Sequence, residues 1–252
     1  MHDLALYEEP DLYDLLAAPA PGPEVAFYLE EARRRGGTAL ELGCGTGRLA
    51  IPLAQAGIEV TGLDLLPVML ARTRAAAADA GVTLELVQGD MRSFRLEGRR
   101  FGLIFLPNTT LPHLLDTADI IRCFSAVARH LAPGGAFIFD VFNPSVEMLS
   151  RKRGDRHLRR RADHPRLGTV TLEETFDYDA ASQVNRITWY WSTPDRPDFF
   201  VHPLHMRNLF PQELPLLLER AGLRLSARYG DVARSRCVGE SCRQVCVCEV
   251  VV

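Results

Sequence analysis

The chain has 252 residues, 47% of them hydrophobic and 24% charged, with a formal net charge of −3. These values exclude a disordered chain and the basic excess of a general nucleic-acid binder, and the length suits one large α/β core carrying a substantial insertion. The first residues carry acidic side chains early and no apolar run of signal-peptide length, and nowhere do about 18 apolar residues follow one another, so a cytoplasmic protein without membrane contact is expected.

Residues 4–35 have helical spacing, Leu12, Leu15 and Leu16 and then Val25, Phe27, Tyr28 and Leu29, around a break at Pro19, Pro21 and Pro23. Residues 39–54 pass from an apolar pulse (Ala39, Leu40, Leu42) through Gly43, Gly45 and Gly47 into a helical pattern (Leu49, Ala50, Leu53, Ala54), which reads as strand, tight turn and helix. Further strands are expected at 58–63, ending at Asp64; at 82–87, ending at Gly89 and Asp90; at 101–106, ending at Pro107 and Asn108; and at 136–142, before Asn143. Helices are expected between them at 67–80, with Pro67 in the first turn and Gly81 as the stop, and at 117–131, with a turn at Pro133, Gly134 and Gly135.

Near-continuous apolar strands alternating with helices specify a parallel sheet buried on both faces, whose ligands sit beyond the carboxyl ends of the strands. Gly43, Asp64, Asp90, Asn108 and Asn143 all fall at such ends. The pattern changes at Pro144. Residues 150–166 hold seven arginines, Lys152, His157 and His164 against Asp155 and Asp163, and with no apolar period they read as a loop or mobile segment. Three alternating stretches follow (Val170 to Tyr178, Ile187 to Trp191, Phe199 to Met206) and predict an inserted antiparallel sheet. A helix from Pro211 to Gly222 and strands at 223–229 and 244–251 complete the core. The expected organisation is residues 1–144 as helical cap and ligand-binding core, 145–209 as the insertion, and 210–252 as the return to the core. Six cysteines are too few for a disulfide scaffold, and without paired Cys-x-x-Cys spacing they predict no metal site; Cys246 and Cys248 alternate and are expected on one buried face of a strand.

The three alternate glycines admit positive φ and let a ligand lie against the main chain, where the following helix offers N–H donors. Together with Asp64, with Gly89, Asp90 and Met91 after the third strand, and with Leu131-Ala-Pro-Gly-Gly before the fifth, the segment from Glu41 to Gly47 resembles the class I S-adenosylmethionine-dependent methyltransferases. The resemblance runs over about 13–144 and again over 210–222. It implies an α/β fold with a Rossmann-like, doubly wound, mostly parallel seven-stranded sheet, here with a small antiparallel β-sheet inserted after the fifth strand, and S-adenosyl-L-methionine as cofactor. By the same resemblance, Gly43, Cys44, Gly45 and Gly47 form the loop under the methionine part and Glu41 sets that loop near the cofactor's amino group. Asp64 accepts from the ribose hydroxyls, Leu65 packs on adenine, Asp90 and the Met91 N–H meet the adenine edge, and Tyr13 and Leu106 complete the cofactor contacts. Acceptor-only carboxylates suit a diol or an exocyclic amine, and apolar residues suit a π-face.

A nicotinamide-dependent oxidoreductase competes for the glycines and Asp64, but Arg48 occupies the position its third glycine needs. Methyl transfer from a sulfonium is an in-line displacement that needs positioning more than a dedicated base. Catalytic candidates at the strand ends are Asn108, His113, Asp140 and Asn143, each with a structural alternative: turn chemistry for the asparagines, helix capping for His113, a buried hydrogen bond for Asp140. The insertion resembles that of small-molecule N-methyltransferases, so the expected partner is a small methyl acceptor, modified on N or O, with nucleic acid disfavoured. RNA methylation and non-catalytic cofactor binding stay open, as does a monomer or a homodimer formed through the inserted strands.

Overall fold

The computed structural model describes residues 4–16, 20 and 22–251; the expected break at Pro19 and Pro21 lies outside the described residues. A 3-10 turn at Ala5–Glu8 and helices α1 (Pro10–Leu16) and α2 (Gly22–Arg34) precede the sheet. The core then alternates β1 (Thr38–Leu42), α3 (Ala50–Gln55), β2 (Glu59–Asp64), α4 (Pro67–Asp79), β3 (Glu85–Gln88), β4 (Phe101–Leu106), α5 (Thr117–His130) and β5 (Leu131–Phe142). The Pro133-Gly134-Gly135 turn is absorbed into β5 as an irregularity: Leu131 pairs with Phe101, and the regular register resumes at Ala136 opposite Leu103.

Short α6 (Val146–Leu149) leads to β6 (His157–His164), β7 (Gly168–Asp179), β8 (Val184–Thr193) and β9 (Arg196–Arg207), and the chain returns through α7 (Glu213–Glu219) to β10 (Leu223–Tyr229) and β11 (Arg243–Val250). The core sheet has the order β10-β11-β5-β4-β1-β2-β3, and β11 runs antiparallel to both its neighbours. Strand order reverses between β1 and β4, which opens the ligand crevice of a doubly wound sheet beyond their carboxyl ends. Ile120, Phe124, Leu214 and Leu218 of α5 and α7 cover one face with Phe137 and Phe139 of β5, while Phe27 and Tyr28 of α2 and Leu53 of α3 cover the other. Both faces are thus buried, which is why β4 reads as an unbroken apolar run. Cys246 and Cys248 pack among the α5 and α7 residues as buried thiols.

The insertion is a four-stranded antiparallel sheet in the order β6-β7-β8-β9. Its first strand corrects the expectation of a loop at 150–166. β6 is an edge strand with a bulge between Leu158 and Arg160, so its inside-outside alternation slips and no period of two is readable. Four arginines in and around it are ion-paired: Arg153 with Asp177, Arg156 with Asp198 and Glu173, Arg159 with Glu174, and Arg166 with Asp11 of α1. Alternate residues of β7, β8 and β9, including Leu172, Ile187, Trp189, Trp191 and Leu204, form a separate apolar cluster that Leu6 and Leu12 of the N-terminal segment join. The insertion therefore closes over the N-terminal segment, and both stand above the crevice.

Candidate active site

Between the core strand ends, the N-terminal segment and the insertion lies a cavity of about 730 Å³. Its core side is built by the glycine loop. Gly43, Gly45 and Gly47 have φ of 63°, 56° and 84°, in the left-handed region that glycine occupies without penalty. A Cβ on Gly43 would come within 2.9 Å of Thr110 Cγ2, and one on Gly47 within 2.8 Å of Ile51 Cδ1, so the loop is packed from behind as well as turned. Thr73 of α4 donates to the Gly45 carbonyl at 2.5 Å and fixes the loop to the helix that follows β2.

Asp64, at the end of β2, receives the Gly45 N–H at 2.8 Å and the Leu66 N–H at 3.0 Å, one on each carboxylate oxygen. Burial pushes its pKa up, and these backbone donors hold it down. Leu65 beside it is 45% exposed and lines the cavity. A buried acceptor-only carboxylate next to a bare apolar side chain, over a loop with no Cβ in the way, fits a nucleoside's diol and base. Asp90 and Met91 also line the cavity. Asp90 is gripped by the Arg92 guanidinium, which holds its carboxyl below the usual range and reaches Asp119 at 2.8 Å.

Glu41 lies beneath the loop and does not line the cavity. Burial pushes its carboxyl up to about 8 against the opposing pull of Arg48, one oxygen takes the Ala50 N–H, and Oε2 has no hydrogen-bond partner. Cys44 turns its thiol away from the cavity onto Gly62, where a Cβ would meet Sγ at 2.9 Å. Leu106 is fully buried in the core cluster, outside the cavity lining. Tyr13 of α1 lies over the loop, its hydroxyl 3.4 Å from the place of a Gly45 Cβ and hydrogen-bonded to the Asn108 side chain; burial pushes it up to about 12.

The catalytic candidates separate. Asn108 and His113 line the cavity. Asp140 and Asn143 do not, and each has a structural duty. Asn108 and Thr109 take φ of 58° in succession, an unfavourable conformation for a β-branched threonine, and Asp140 accepts from Thr109 Oγ1 at 3.2 Å and from the Asn108 backbone. Asp140 thereby holds the strained turn that presents Asn108. Asn143 Nδ2 donates to the Val238 and Gly239 carbonyls at 3.2 Å, tying β5 to the loop before β11.

Several cavity residues lie outside the sequence-derived candidates. Tyr7, in the first 3-10 turn, places its hydroxyl 2.8 Å from His113 Nε2, and burial raises its pKa strongly. On the insertion side, buried Glu174 accepts from Arg159 at 2.9 Å and from Trp189 Nε1 at 3.0 Å. Asn185 and Asn208 line the same wall with amide atoms, Oδ1 and Nδ2 respectively, that have no hydrogen-bond partner. The signal for Glu174 was a polar residue at an inward position between Leu172 and Phe176; Asn185 likewise precedes the inward Ile187 and Trp189. Tyr7 had none. Among the described residues, no group of three or more His, Cys, Asp or Glu could hold a metal ion, and no helix is long and apolar enough to cross a membrane.

A seven-stranded sheet of this order, with a glycine loop after its first strand and a carboxylate ending its second, has the architecture of a nucleoside-binding methyltransferase domain, and the sequence profile of a methyltransferase domain matches residues 39–135. Residues 39–135 thus form a methyltransferase domain, and the whole chain is similar in fold to S-adenosylmethionine-dependent methyltransferases. It is similar to the CcbJ methyltransferase from Streptomyces caelestis, at 28% identity and a TM-score of 0.82 over 94% of this chain and 92% of that one. It is also similar to the glycopeptide N-methyltransferase MtfA complexed with sinefungin, at 26% identity and a TM-score of 0.58 over 92% and 88% of the two chains. A cypemycin N-terminal methyltransferase from Streptomyces is 31% identical over 159 residues, 62% of this chain and 63% of that protein. The chain spans about half the length of the curated relatives it matches.

Proposed function

We propose that the protein transfers the methyl group of S-adenosylmethionine to an amino nitrogen of a small-molecule acceptor. The observation that carries this reading is that one cavity joins the glycine loop and Asp64 on the core side to the Tyr7 and His113 pair and the polar wall of the insertion on the other. A glycopeptide N-methyltransferase and a cypemycin N-terminal methyltransferase among the similar proteins support nitrogen as the nucleophile.

The glycine loop holds the amino-acid part of the cofactor, Asp64 accepts from its ribose hydroxyls, and Leu65 and Met91 flank its base. When bound, S-adenosylmethionine supplies a methyl group made electrophilic by the sulfonium sulfur. Tyr7 Oη, donating to His113 Nε2, accepts a hydrogen bond from the acceptor's N–H, which aims the nitrogen lone pair; after transfer the nitrogen's proton passes to Tyr7 Oη as the Tyr7 hydroxyl proton passes to His113 Nε2. Tyr13, the N-terminal segment and the apolar face of the inserted sheet exclude water around that nitrogen. Arg159 and Glu174 neutralise one another at the wall of the site.

RNA is disfavoured because Arg153, Arg156, Arg159 and Arg166 of the arginine-rich segment are paired with acidic side chains of the inserted sheet and of α1, and the chain's net charge is −3. Incubation with tritiated-methyl S-adenosylmethionine and, separately, a pool of small amines or bulk tRNA tests the reading. Label in the amine pool is the expected result; label only in tRNA, or in neither, sinks it.

A further inference from the structure

Five arginines line the cavity, and three of them are compensated: Arg92 by Asp90 and Asp119, Arg159 by Glu174, and Arg207 by Glu213 and the Leu115 carbonyl. Arg151 and Arg243 differ. Arg151, just after α6, makes no ion pair with any described residue and is held by the Phe176 ring, 4.8 Å from its guanidinium carbon. Arg243 opens β11 opposite Phe142, and its nearest carboxylate is Asp140 at 3.6 Å, too long for a hydrogen bond. Burial pushes the Asp140 carboxyl up, and the Arg243 charge pulls it down. Phe142, paired with Arg243 across β5 and β11, is 37% exposed and lines the same cavity. Two guanidinium groups without a hydrogen-bonded carboxylate therefore line the same cavity, in a chain whose net charge is −3.

We propose that Arg151 and Arg243 form an anion subsite in the wall of the cavity, which binds a phosphate or carboxylate group carried by the methyl acceptor at a distance from its reacting nitrogen. Guanidinium groups suit this task because their planar donor fork pairs with either oxyanion in bidentate fashion. Asn185 and Asn208 line the same cavity. The acceptor class this defines is an anionic amine, tethered by its charge to the two arginines. The subsite rests on the reading of this cavity as a methyl-acceptor site.

Calorimetric titration of inorganic pyrophosphate, and separately of glutarate, into the full chain saturated with S-adenosylhomocysteine tests the proposal. One of the two binds at a single site, tighter than about 1 mM at low salt. R151A and R243A each weaken it by about tenfold, and R220A, on the exposed end of α7, leaves it unchanged. Pyrophosphate alone binding assigns a phosphate group; glutarate alone assigns a carboxylate. Silence with both anions, or binding retained in the R151A/R243A double variant, overturns the subsite. Failure of S-adenosylhomocysteine itself to bind refutes the cofactor reading instead, and the same titrations on the ligand-free chain then still decide whether the arginines bind an anion.

Discussion

Replacing Asp64 by asparagine preserves shape while removing the one feature the site asks of that position, two acceptor oxygens. The carboxylate takes the Gly45 N–H at 2.8 Å on one oxygen and the Leu66 N–H at 3.0 Å on the other. An amide has a single oxygen, so whichever N–H keeps its partner, the other faces an NH2 group. Losing one charge-assisted hydrogen bond and leaving a donor unpaired costs about 1.5–3 kcal/mol. The loop that Asp64 ties to β2 is the cofactor platform, and the same oxygens are the proposed ribose acceptors, so the loss is expected in affinity: Kd for S-adenosylhomocysteine rises about 10- to 100-fold. Global stability changes less, because burial already raises the Asp64 pKa and removing the buried charge returns part of the loss. Calorimetric titration of D64N, with a urea melt to show that it is folded, reads both quantities. A folded D64N that binds S-adenosylhomocysteine as tightly as the parent would refute the assignment.

Four further outcomes follow from the same geometry. Between its ordinary 4.5 and about 8, buried Glu41 keeps in the folded chain a proton that the unfolded chain has lost, so stability falls as pH rises across that window. E41Q should flatten that slope in urea midpoints measured at successive pH values, and an unchanged slope contradicts the burial argument. Y7F and H113A should each lower kcat by about a hundredfold with S-adenosylhomocysteine still bound, and the double variant should lose little more, since the two act as a unit. F124A, which opens a hole beside Phe137 and Phe139, should cost about 3–5 kcal/mol in a denaturant melt. R48A should cost about 3–5 kcal/mol because it leaves buried Glu24 unpaired, whereas R166A, at an exposed pair with Asp11, should cost less than about 1 kcal/mol; equal losses would show that burial does not set the cost of these pairs.

The core was legible because a parallel sheet covered on both faces leaves continuous apolar runs, and each run ended in a residue of distinctive chemistry: Gly43, Asp64, Asp90, Asn108. The same continuity hid which way side chains point. Leu106 and Asp140 sit near the right strand ends but face the packed interior, and nothing in an unbroken apolar run distinguishes one face from the other. β6 was unreadable for another reason. Arg159 and the flanking Arg156 and Arg166 pair with residues distant in sequence, Glu174, Asp198 and Asp11, and its bulge breaks the alternation that would mark a strand. Tyr7 reaches His113 across 106 positions, a meeting that only the packing of Leu6 and Leu12 on the inserted sheet brings about. Glu174 and Asn185 were visible as polar interruptions of an inward apolar face, and that is the pattern to look for in insertions of this kind.

Hydrogen exchange of the full chain with and without saturating S-adenosylhomocysteine tests most directly whether the two sides of the cavity have separate tasks. The account predicts slowed exchange at the amides of the glycine loop, 43–47, and at the strand ends 64–66 and 89–92, with strands β8 and β9 of the insertion little changed. Protection confined to the inserted strands, or no protection at all, would contradict it.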